Sequence, residues 1–214
     1  MLNLLKIKNV YYLPVIIGLY ITYSIIYNHI FISETIWLQW YDGILNQTQI
    51  QETISFVKKW EWSIVLLNVS LIFIKITFVA VFLYLGLFFF LNRDNAYKVS
   101  FNVALKSEIL YVVYLFLRLL WYTFVHAPES LEEMQIMPLS LMIFFDPETI
   151  EAWLIYPLNT LNLFEILYIW MLSASMSVAV QINFRKAFEL VFVSYGTGLL
   201  LLMATQMFLI LNNT

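Results

Sequence analysis

Ionisable side chains inside apolar runs are where this sequence could do chemistry. Glu165 lies within "NLFEILYIWMLSASM", Arg118 within "YLFLRLLWYTF" and Lys75 within "LIFIKITFVA". A charge at the centre of a bilayer costs about 2.5–3.5 kcal/mol on insertion scales, so such groups pair with one another or face a cavity. Two uses follow. One is an ion pair that locks the order of the helices. The other is a polar cavity that handles a proton, an ion or a lipid headgroup.

The elements that must position these residues are membrane helices. The chain has 214 residues, of which 62% are hydrophobic and 12% charged. A soluble domain has about 25% charged residues, too many for this composition to match. A span needs about 20 apolar residues. The runs that qualify are Val10–Ile32, Ser63–Leu91, Ala104–Val125, Leu154–Val180 and Ala187–Leu211. The expected fold is therefore all-α, a single polytopic bundle of five transmembrane helices over residues 1–214. With no cysteine in the sequence, disulfides, thiolate metal sites and cysteine nucleophiles are excluded.

Orientation comes from the basic residues. With the N-terminus cytoplasmic, Lys6, Lys8, Arg93, Lys98, Lys106, Arg185 and Lys186 fall inside, and only Lys58 and Lys59 outside. The segment from His126 to Trp153 has no lysine or arginine and several carboxylates. The C-terminus is then external. Trp37, Trp40, Trp60, Trp62, Trp121 and Trp153 all fall near the outer interface, where amphipathic rings prefer to lie. Two external segments have further structure: "NQTQIQETISFVKKWEW" reads as a short surface helix, and "PLSLMIFF" as a cap or dip at the outer ends of the spans.

On a helical wheel for the fourth span, Asn159, Asn162, Glu165, Ser173 and Ser177 share an arc of about 120°. The third span presents Ser107, Tyr111, Tyr114, Arg118 and Tyr122 on one face, and the second aligns Asn68, Lys75 and Gly86. Counted from the outer ends, Arg118 and Glu165 share a depth, with Lys75 somewhat deeper. The expected pair is Glu165 with Arg118, and Lys75 is the alternative partner. Glu108 and Glu189 read as interfacial partners of Lys106, Arg185 and Lys186. Ser194, Gly198 and Thr205 form a small-residue stripe suited to close helix packing.

The remaining chemistry is sparse. His29 and His126, with Glu129, Glu132 and Glu133, lack the i, i+4 spacing of a helical metal site, so no metal or other cofactor is expected. No nucleotide-binding loop or hydrolase motif occurs, and no nucleophile–base pair can be named. The expectation is a protein without enzymatic activity.

The stretch "LNTLNLFEILYIWMLSASMSVAVQINFRKAFELVFVSYGTGLLLL" resembles the fourth and fifth spans of the Yip family (Ypt-interacting proteins), in particular its bacterial branch. Asn162, Phe164, Ser173, Ser175, Lys186 and Ala187 carry the likeness. The resemblance implies a five-span fold and a membrane location, and no established chemistry. The long N-terminal domain of the eukaryotic members is missing, so GTPase binding is not carried over. The functional expectation is an accessory, scaffold or assembly subunit of an envelope complex in the inner (cytoplasmic) membrane. Its expected partners are the lipid bilayer and other membrane proteins, with no nucleic acid. The rival is a transport subunit using Lys75, Arg118 and Glu165 for an ion, proton or lipid.

Overall fold

A computed structural model describes residues 9–31, 45–92, 96–125, 128, 136–146 and 149–213. Lys6, Lys8, Arg93, Trp37, Trp40, His126, Glu129, Glu132, Glu133 and Thr214 lie outside the described residues. The helices are α1 (Asn9–Phe31), α2 (Gln47–Lys59), α3 (Glu61–Leu91) and α4 (Ala96–Ser107). They continue with α5 (Ile109–Phe124), α6 (Ala152–Thr160), α7 (Leu163–Val180) and α8 (Phe184–Asn213). No strand occurs among the described residues.

Four stretches, Tyr11–Phe31, Trp62–Leu91, Leu163–Val180 and Phe184–Asn212, are long and apolar enough to cross a bilayer. The chain is a helical membrane protein. The third expected span, Ala104–Val125, is one part of a longer element. Its helix begins at Ala96 and passes through Glu108, whose backbone stays right-handed helical. Lys98, Asn102 and Lys106 lower the hydropathy of this first half, yet its other face is buried through Ser100, Val103, Ala104 and Ser107.

The fourth expected span, Leu154–Val180, is not one helix. It breaks at Leu161–Asn162, where Leu161 leaves helical geometry and Asn162 is extended. Asparagine competes for backbone groups and favours caps. Here Asn162 Oδ1 accepts from the Glu165 N–H at 2.8 Å, so it starts α7 as a cap and does not continue α6. The wheel that put Asn159, Asn162 and Glu165 on one face of one helix is thereby corrected.

The segment from Pro138 to Phe145 docks onto this break. Leu141 N donates to Leu161 O at 3.0 Å, and Leu163 N donates to Leu139 O at 3.1 Å. Met142, in a 3-10 turn over Leu141–Phe144, is fully buried. Backbone groups opened by the break are therefore met by protein, which is what a non-helical stretch at the edge of a span requires.

The core is built from Ile76, Leu83 and Leu87 of α3, Leu172 and Met176 of α7, and Leu190 and Val191 of α8. Close approach of α3 and α8 depends on small residues. A Cβ on Gly86 would lie 2.7 Å from the Ser194 side chain, and one on Gly198 2.7 Å from the Phe82 ring. Thr205 is exposed. Beside the bundle, α2 is capped by Asn46, which exchanges hydrogen bonds with Gln49, and it buries Ile50 and Ile54 while its polar face stays exposed. At the other end, Arg185 and Glu189 form an exposed i, i+4 pair at 3.1 Å.

Candidate functional site

The polar residues of five helices meet in one cluster. With about 1.5 Å of rise per residue, Lys75, Glu165 and Tyr195 lie roughly 17–24 Å along their helices from the end that carries Asn92 and Gln181. That is well inside a hydrocarbon layer about 30 Å thick.

Glu165 is held by hydroxyls. Its Oε1 accepts from Tyr195 OH at 2.6 Å and its Oε2 from Tyr111 OH, so α5, α7 and α8 are tied through one carboxylate. It sits in the first turn of α7, where the helix dipole favours a negative charge. Arg118 is not its partner. Tyr111 and Arg118 are seven positions apart, which separates their levels on α5 by about 10 Å. The expectation of equal depth assumed an unbroken fourth span, whereas Glu165 stands at the level of Tyr111 and Tyr195. Arg118 instead lies with its guanidinium 5.4 Å from the Tyr122 ring.

Lys75 does not pair with Glu165 either. Its Nζ lies 2.8 Å from Glu108 Oε1 and 2.9 Å from the centroid of the Tyr111 ring, a cation–π arrangement. Glu108 also accepts from Tyr20 OH at 2.6 Å. The reading of Glu108 as an interfacial partner of Lys106 is overturned, because its side chain is fully buried while Lys75 keeps 32% of its own exposed. Glu108 Oε2 and Tyr168 OH are buried without hydrogen-bond partners among the described residues. The Tyr168 ring stands edge-on to both Tyr111 and Tyr195, with centroids 4.7 and 5.6 Å away.

Asn159 and Asn162 hold the break itself. Asn159 Oδ1 accepts from Met137 N at 2.9 Å, and Asn162 Nδ2 donates to Asn159 O at 2.9 Å. Ser194 and Gly198 lie in the α3–α8 contact and take no part in the cluster. Among the described residues no group of three or more acidic or histidine side chains could hold a metal, and His29 is exposed at the end of α1.

Among the described residues, voids lie beside the cluster. A cavity of about 340 Å³ is walled by Lys75, Tyr111 and Arg118 among others. A second, of about 220 Å³, shares Lys75, Tyr111 and Met137 with the first. A third, of about 760 Å³, is an apolar groove between α7 and α8 that shares Asn162, Glu165 and Leu199 with the second. Lys75–Tyr111 is thus one partition and Asn162–Glu165 the next. The groove opens between exposed apolar side chains such as Ile166, Phe192 and Leu200.

Sequence reasoning misplaced Glu108 and missed Tyr20, Tyr168 and Tyr195. The available signal was position, since tyrosines away from both interfaces need a hydrogen-bond partner or a cavity. No protein-family model, curated protein or solved structure matches the chain. Fold and site define the class by themselves: a helical membrane protein with a charged core between its helices.

Proposed function

We propose that this protein is a non-enzymatic transport subunit in which Glu165 and its two tyrosines form a gate between the core cavities and the groove. The observation that carries the reading is the interrupted α6–α7 element. Non-helical backbone in a membrane protein is tolerated where it is buried in protein or lines a cavity, and discontinuous helices recur in the binding sites of transporters. Here the break lies beside the charged cluster and walls two voids. The proposal includes five spans, with α4 and α5 together crossing as the third, an N-terminus in the cytoplasm and an external C-terminus. It also includes residence in the cytoplasmic membrane, for which the distribution of basic residues is the support.

A second reading is favoured by the direct bonds to both carboxylates. In it the cluster only fixes helix order, and the protein is a Yip-like accessory or scaffold subunit of a membrane complex. The lack of native cysteine allows a clean comparison. Thr160 lines the cavity beside Glu165, whereas Ile76 is buried in the packed core. In reconstituted protein a small polar thiol reagent should modify Thr160→Cys and leave Ile76→Cys untouched. Equal silence at both positions would overturn the transport reading and leave the scaffold.

A further inference from the structure

We infer that the cavity between α1, α3 and α5 binds the phosphate group of an anionic phospholipid. The inference rests on the transport reading and names the class of ligand for it. Arg118 brings a guanidinium and Lys75, paired with Glu108, an ammonium to the wall, and Ser24, Asn68, Tyr23 and Tyr114 bring hydroxyl and amide groups. Among the described residues no carboxylate lines this cavity, although Glu165 lines the other two and Glu108 stands 2.8 Å behind Lys75. A phosphate diester needs several donors around one negative charge, and it finds them here.

A second observation points to a ligand independently. Tyr114 is 3% exposed, lines the cavity, and its hydroxyl has no hydrogen-bond partner among the described residues. An unsatisfied buried hydroxyl costs about 1–3 kcal/mol, and a phosphate oxygen in the cavity would satisfy it. Lys75 keeps a donor to spare, since an ammonium carries three, Glu108 accepts one and the Tyr111 ring covers another.

The lipid is favoured over a free anion by what flanks the polar wall. Leu71, also on the lining, is 51% exposed on the apolar outer surface of α3, and Asn68 one turn away is exposed too. A headgroup can enter from the membrane while its acyl chains stay against such side chains. At about 340 Å³ the cavity has room for a phosphate and its glycerol, and none for the chains.

The test places a single cysteine at Asn68 in the full-length protein. Its labelling by an uncharged thiol reagent is followed in three preparations: phosphatidylcholine vesicles, vesicles that also contain phosphatidylglycerol, and phosphatidylcholine vesicles with added inorganic phosphate. Phosphatidylglycerol should slow the reaction about ten-fold, the protection reached when ligand exceeds its dissociation constant by about that factor. Arg118→Gln should abolish the protection, and so should Tyr114→Phe, which removes one oxygen and leaves the ring packing in place. Slowing by inorganic phosphate alone would overturn the lipid as the source. No slowing in either preparation, or protection that survives both substitutions, would overturn the site. Thr160→Cys measured in the same vesicles keeps the outcomes separate: its labelling tests the transport reading whatever happens at Asn68.

Discussion

Glu108 and Glu165 are both buried carboxylates deep in the bundle, yet their surroundings differ in kind. Glu108 has a cation, Lys75, and a single hydroxyl from Tyr20. Glu165 has no cation within bonding distance among the described residues and is stabilised by two hydroxyls and the start of a helix. The first arrangement is an ion pair, strong only while both members are present. The second is a set of neutral donors that can release or exchange the group without stranding an opposite charge. On the proposed reading, Glu108 is fixed architecture and Glu165 the working position.

Lys75→Met should do the most damage. It leaves Glu108 charged and unpaired in a low-dielectric setting, a loss of about 3–5 kcal/mol for a buried pair. Unfolding in mild detergent should show it as a large drop in midpoint, and the double variant Lys75→Met/Glu108→Gln should recover much of it. If the double variant is no better than the single one, Glu108 is not held by charge, and the contrast between the two sites fails.

Tyr195→Phe should be milder. It removes one of two hydrogen bonds to a charged acceptor, each contributing about 1.5–3 kcal/mol. The same unfolding assay would show a loss as large as that of Lys75→Met if Glu165 depended on that single donor. The smallest effect belongs to Asn162→Ala, which removes the cap of α7 at about 1 kcal/mol. Amide exchange at Leu163 to Glu165 should rise in this variant while exchange in the middle of α7 stays slow.

The membrane helices were legible because hydropathy is summed over many residues, and isolated errors cancel. The same summing concealed the break in the fourth span. Pro157, Asn159 and Asn162 carry the information, but they are diluted in a window dominated by leucine and isoleucine. Glu108 was misplaced for a related reason. Starting the third span at Ala104 set the residue at a helix end, whereas the helix starts at Ala96 and puts it in the interior. Lys75, Arg118 and Glu165 stood out as charges among apolar neighbours. The partners of Glu165 did not, since a hydroxyl on one of 14 tyrosines is silent until the packing of three helices aims it.

The central claim is that Glu165 is a gate, and the labelling rate of Thr160→Cys in a Glu165→Gln background tests it most directly. Loss of the charge weakens both tyrosine bonds together, and a change of about 1.4 kcal/mol in opening corresponds to about ten-fold in rate. The account predicts at least that acceleration, with Ile76→Cys still unreactive and the protein still folded. A rate at Thr160 unchanged by Glu165→Gln would contradict it, and would make this carboxylate a structural bond like the one at Glu108.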